Sequence, residues 1–86
     1  MVGEKMLAKE LVGRTVVTKS GKTFGTVGDI VFEARTGEII NIVLKNPTQF
    51  AKSFSLEKDS EGNLLIPYHA VVSVGDFIIV AEDDIV

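Results

Sequence analysis

Apolar and polar residues alternate with a period of two through most of the chain, which predicts short strands separated by tight turns. Arg14 to Thr18 (RTVVT) reads as a first strand, and Ser20-Gly21-Lys22 as the turn after it. The run Thr23 to Glu33 (TFGTVGDIVFE) reads as a second strand interrupted by Gly25 and Gly28. Glycines inside a strand mark bulges or sharp coiling, which a small barrel needs in order to close. Arg35-Thr36-Gly37 supplies the next connection, and Glu38 to Lys45 (EIINIVLK) is the clearest strand. Ile40, Ile42 and Leu44 share one of its faces, and Ile39, Asn41, Val43 and Lys45 share the other. That second face is half apolar, so a covering element is expected.

Two short helical segments interrupt this pattern. Leu7 and Leu11, four apart before Gly13, predict one or two turns within Lys5 to Val12. Asn46-Pro47 reads as an N-cap followed by proline at the first helical position, and Phe50 and Phe54 stand four apart, giving a short helix from Pro47 to Lys52. Lys58 to Asn63 (KDSEGN) is a polar turn. The last third holds Leu64 to Ile66, a Pro67 kink, Val71 to Val74, a Gly75-Asp76 turn and Phe77 to Ala81. Phe77 and Ile79 oppose Ile78 and Val80, so the final strand is apolar on both faces. Without crossover helices to cover it, such a strand is either a barrel wall under the short helix or a subunit interface. The expected fold is all-β: a small six-stranded antiparallel β-barrel in one domain, residues 1–86, with flexible ends at 1–7 and 82–86.

Composition narrows the function. Val and Ile supply 20 of the 39 apolar residues, in keeping with a β fold. With no Cys there is no disulfide, thiol nucleophile or Cys-containing zinc site, and the single His is too few for a His-rich metal centre. A chain of 86 residues without such a staple gains from association with another subunit. The net charge of −3 argues against a nucleic-acid phosphate binder. Charge is uneven, net +3 over residues 1–52 and −6 over residues 53–86, a dipole that folding is expected to mix away. The first ten residues carry Glu4, Lys5, Lys9 and Glu10 and no apolar signal-peptide core, and no apolar run approaches the ~20 residues of a membrane span. A cytoplasmic protein is the expectation.

The candidate chemistry is thin. Asp29 and Glu33 lie four apart in the second strand, but Asp29 beside Gly28 reads better as a turn residue bonding local backbone, and Glu33 as a solvated strand end. Gly21, Gly25 and Gly28 lack the Lys-Ser/Thr pair and the following helix of a phosphate loop, so turn and bulge roles explain them better. Phe50 and Phe54 read as a core plug, and Glu82-Asp83-Asp84 as a solubilising tail. No catalytic, cofactor or metal site is expected, and the protein is not expected to be an enzyme. The expected interface comprises Ile39, Val43, Tyr68, His69, Phe77, Ile78 and Val80, with the pair Ile78 and Val80 facing outward.

Two stretches resemble a known family. Ala8 to Leu44 has a Leu-Val-Gly entry, a Gly-Lys-x-x-Gly-x-Val-x-Asp-Ile core and Thr-Gly before a β-rich strand, and Leu64 to Val80 reads LLIPYHAVVSVGDFIIV. As a set they resemble the PRC-barrel family, in particular its small stand-alone archaeal members. That resemblance implies a six-stranded barrel used as a protein-docking module, as in the reaction-centre H subunit and the ribosome maturation factor RimM. It further implies a dimer with itself or a paralogue, acting as an adaptor in archaeal cell division beside the FtsZ anchor SepF. The alternative it leaves open is a RimM-like accessory factor that binds a ribosomal protein.

Overall fold

A computed structural model describes residues 9–85. The expected flexible stretch 1–7 and the start of the first helical segment lie outside the described residues. Residues 9–11 are helical, and Gly13 follows with a left-handed φ of 92°.

Seven strands form one sheet: β1 (Thr15–Thr18), β2 (Thr23–Phe32), β3 (Ile39–Lys45), β4 (Glu57–Lys58), β5 (Leu64–Pro67), β6 (Val71–Val74) and β7 (Phe77–Val80). Their order is β4-β5-β3-β2-β1-β7-β6. Two points differ from the expected six-stranded antiparallel barrel. The extra strand, β4, has only two residues, Glu57 and Lys58, both exposed and paired to β5 through backbone alone. The β1–β7 pair is parallel, with Thr15 opposite Phe77 and Val17 opposite Ile79. Parallel neighbours need a long connection. Here the whole of β2 to β6 provides it, and β7 and β5 of the acidic half are set beside β1 and β3 of the basic half.

The sheet coils around one core. β1 contributes Val16, β2 Phe24, Val27 and Ile30, β3 Ile42 and Leu44, β5 Leu64 and Ile66, and β7 Ile78 and Val80. The even face of β3 is thus the core face over Ile42 and Leu44, whereas Ile40 is exposed because the register slips between Val31 and Phe32 opposite it. A further slip in β2 lies between Val27 and Asp29, on Gly28. Bulges of this kind raise local twist and let a ten-residue strand serve two walls of a coiled sheet. The one buried polar residue in the described core, Thr18, is satisfied: its hydroxyl pairs with Ser20 Oγ at 2.9 Å and accepts from the Lys22 N–H at 3.1 Å.

One end of the core is plugged by α1 (Gln49–Lys52). Phe50 and Phe54 pack on the buried Phe24, with ring centroids 5.2–5.6 Å apart in tilted and edge-on arrangements. The plug expected from Phe50 and Phe54 therefore forms, with Phe24 as its base. The cap is Thr48, not Asn46, and the helix starts two residues later than Pro47. Asn46 instead takes a left-handed φ of 52°: the proline after it disfavours the right-handed helical conformation, and its short polar side chain tolerates the left-handed one. Thr48 Oγ1 accepts from the Ala51 N–H at 3.2 Å and donates to the Thr23 carbonyl at 2.7 Å, tying α1 to β2. Thr48→Ala removes both bonds and is expected to cost about 1–2 kcal/mol in chemical denaturation, with Thr48→Ser close to wild type.

The stretch 82–86, expected to be flexible, is docked as far as Ile85. Glu82–Asp84 form a 3-10 turn, Ala81 is buried, and Ile85 packs against the core. Ser20 Oγ donates to the Glu82 carboxylate at 2.6 Å, and that hydrogen bond holds Glu82 below the usual carboxylate range.

Candidate interaction surface

The face of β7 decides which residues can meet a partner. Ile78 and Val80 are both 0% exposed and point into the core, while Phe77 is 57% exposed and Ile79 half-buried on the outer side. The expected outward placement of Ile78 and Val80 is therefore inverted. The parallel register with β1 carries the reason: Ile78 lies opposite the buried Val16, and Phe77 and Ile79 lie opposite Thr15 and Val17 on the other face. The strand is apolar on both sides, as its sequence requires, with one side in the core and the other facing out.

Beside β7, the edge strand β6 adds Val72, 53% exposed, and Val74, 40% exposed. Val72 sits in a bulge, between Val71 opposite Val80 and Ser73 opposite Ile79. The β6–β7 hairpin thus presents Val72, Val74 and Phe77 around the Gly75-Asp76 turn. The Arg14 guanidinium donates to the Gly75 carbonyl and anchors this turn to the start of β1. Sequence alternation missed Val72 and Val74; the available signal was a four-residue strand, VVSV, without a single charge.

A second apolar surface lies at the end of the β2–β3 hairpin. Val12 and Phe32, with Ile30 beneath, line a groove of about 480 Å³ edged by Lys9, Asp29 and Glu33. Glu33 also borders a neighbouring hollow of about 410 Å³ with Glu38, Ile39, Ile40, Tyr68 and His69. The expected interface residues Ile39, Tyr68 and His69 are thus brought together there. Ile39 and Tyr68 are half-buried against the core, and His69 is exposed. Val43 is half-buried elsewhere, opposite Asp29 on one side and Leu65 on the other, and lines a separate hollow beside Lys45 and Asp59.

The polar candidates settle into local roles. Asp29 Oδ1 accepts the Ile30 N–H at 2.8 Å, the local backbone bond expected of it. Asp59 plays the same part in the β4–β5 turn, where the Asn63 backbone N–H, ahead of the other donors, lowers its pKa. Gly21 turns with φ 92°, and Gly25 lies against the carbonyls of Lys45 and Asn46, so neither is placed to cradle a phosphate. Among the described residues no group of three or more His, Cys, Asp and Glu side chains is close enough to hold a metal ion. No helix of the described residues is long and apolar enough to cross a membrane.

The chain is 30% identical over 82 residues to an uncharacterized protein of the archaeon Methanocaldococcus jannaschii, covering 95% of this chain and 88% of the relative. The family model of the PRC-barrel domain matches residues 3–85. On that match, which spans nearly its whole length, the chain belongs to the PRC-barrel domain family.

Proposed function

We propose that the protein is a non-enzymatic, dimeric adaptor that works in archaeal cell division and joins a SepF-type anchor to other division proteins. The observation that carries this reading is the pair of exposed apolar sets at different places on the sheet: Val72, Val74 and Phe77 on the β6–β7 hairpin, and Phe32 and Ile40 on the β2–β3 hairpin with Val12 beside Phe32. Large apolar side chains gathered at the surface mark contact sites, and an adaptor needs two of them. The β6–β7 surface is assigned to the dimer and the β2–β3 end to the division partner. The archaeal relative and the match of the PRC-barrel domain over residues 3–85 fit the reading.

The test is direct binding of the full chain to a purified SepF-type protein from the same organism, followed by calorimetry. Binding in the micromolar range is expected, with Phe32→Asp and Ile40→Asp each weakening it about tenfold or more, since buried aromatic and aliphatic anchors dominate such contacts. If SepF-type protein does not bind and purified ribosomal proteins do, the role is the RimM-like one instead.

A further inference from the structure

The charged residues at the β4–β5 end of the sheet are sorted by side. β4 pairs antiparallel with β5, Lys58 opposite Leu64 and Glu57 opposite Leu65, and residues directly opposite one another share a face. Leu64 is a core residue, so Lys58 stands on the core side of the strand and Glu57 on the outer side. Asp59 and Glu61, in the turn that follows, line the small hollow that also holds Asp29 and Val43. A larger hollow of about 520 Å³ is bordered by the end of β3, the segment from α1 to β4 and the β4–β5 turn. Its floor is apolar: the buried Leu44 and Leu64 with the half-buried Phe54 and Leu56. Its charged lining residues are Lys45, Lys52 and Lys58, and among the described residues no carboxylate joins them. Lys45 also borders the acidic hollow, its stem lying over Gly28, so Lys52 and Lys58 are the cations that serve the larger hollow alone. Three of the nine basic residues thus ring one cavity in a chain of net charge −3.

We infer that this hollow docks an acidic segment of a partner protein, an extended stretch that sets one apolar side chain on the Leu44–Leu64 floor and carboxylates against Lys52 and Lys58. The site shares no residue with either apolar surface described above and does not depend on the adaptor reading. Charge complementarity selects the occupant: a cationic rim over an apolar floor matches a segment that carries both carboxylates and an apolar anchor. A phosphate or other small anion fits less well, because it needs donors that converge on one point. Here the ammonium groups stand on exposed stems from three separate elements, β3, α1 and β4. Nearby backbone donors are already spent: the Ser53 N–H on Gln49 O, the Gly62 N–H on Asp59 O and the Asn63 N–H on the Asp59 carboxylate. A nucleic-acid strand carries charge along its whole length and would continue onto Asp29, Asp59 and Glu61. The chain's own acidic end is engaged elsewhere, Glu82 accepting from Ser20 and Ile85 packing on the core. The volume falls within the ~300–1,000 Å³ of ligand pockets, which suits a few residues of extended chain rather than a folded element.

The test is selection of short random peptides displayed against the immobilised full chain, followed by fluorescence anisotropy of the selected peptides with the chain in solution. Enriched sequences are expected to join several Asp or Glu to one large apolar residue and to bind in the micromolar range. Lys52→Glu combined with Lys58→Glu changes two exposed side chains, so circular dichroism should stay that of the folded protein while binding weakens about tenfold or more. Raising the salt from about 50 to about 500 mM should weaken wild-type binding comparably, because exposed charges are screened. Replacing the peptide's apolar residue by Ser should also cost about tenfold, the contribution of the floor. Selection of peptides with no excess of carboxylates, a doubly substituted chain that binds like wild type, or peptides that bind equally well without the apolar residue overturns the inference. So does displacement of the peptide by inorganic phosphate or a single-stranded oligonucleotide at matching concentration, which would reassign the hollow to a phosphate ligand. Binding of a SepF-type protein is read separately through Phe32 and Ile40, so either reading can fail alone.

Discussion

Gly25→Ala is expected to lower the unfolding free energy by about 3 kcal/mol or more, a large share of the ~5–15 kcal/mol that stabilises a small domain. Gly25 is buried in β2 with φ 151°, a region that residues with a Cβ rarely enter. A methyl group there would lie 2.8 Å from the Lys45 carbonyl oxygen and 3.1 Å from that of Asn46. Both are backbone atoms, so no side-chain rotation relieves the contact. The end of β3 would have to retreat, taking with it the Thr26 Oγ1 bond to Lys45 O at 3.2 Å and the entry to α1. Strained backbone costs ~1–3 kcal/mol by itself, and displacement of a packed strand adds to it. Gly75→Ala is the control: Gly75 lacks a positive φ, and a Cβ there meets nothing within 4 Å, so its cost should stay within about 0.5 kcal/mol. Urea denaturation of the two variants separates them. Equal midpoints would show that the Gly25 contact is not a constraint on the fold.

Much of this architecture was legible because alternation carries face information wherever one face is polar. β3 displayed its core positions Ile42 and Leu44 in that way, and the glycines of β2 announced a coiled strand. β7 could not be read so. In Phe-Ile-Ile-Val both faces are apolar, and only the neighbouring β1, whose paired residues lie 62 positions away in sequence but run parallel and in register, fixes which side enters the core. β4 left no trace because Glu57 and Lys58 join the sheet through backbone groups that every sequence possesses. The helix cap was misplaced because Asn46 and Thr48 are both good capping residues flanking Pro47. What decides between them is a carbonyl of β2, Thr23 O, which only the folded chain brings within reach of Thr48. The candidate surface followed the same division: that Phe77 belongs to an apolar strand could be read locally, while the exposure of Val72 and Val74 depends on β6 lying at an edge, a property of strand order rather than of any one strand.

Strand order also explains why the core tolerates so little at Phe24, and Phe24→Ala is expected to cost about 3–5 kcal/mol. Phe24 is 0% exposed in β2, the strand that pairs with both β1 and β3, and its ring is the base on which Phe50 and Phe54 rest. Removing it deletes the largest fully buried side chain of the described residues and takes away a contact from each of the other two rings. Collapse cannot fill the space cheaply, because α1 is held by Thr48 to Thr23 O and by its own N–H to Phe24 O at 2.9 Å, both on the backbone of β2. For a domain of this size each kcal/mol shifts the melting midpoint by roughly 4–8 °C, so a fall of about 12–40 °C is expected in calorimetry. Phe54→Ala, at a half-buried ring on the outer side of the plug, should cost less than half as much. If the two substitutions prove equal, α1 moves with the cavity and the plug is held by its aromatic rings rather than by Thr48. Thr48→Ala made in the Phe24→Ala background then distinguishes the two, because an anchored helix keeps the full cost of the lost cap and a helix already released shows almost none.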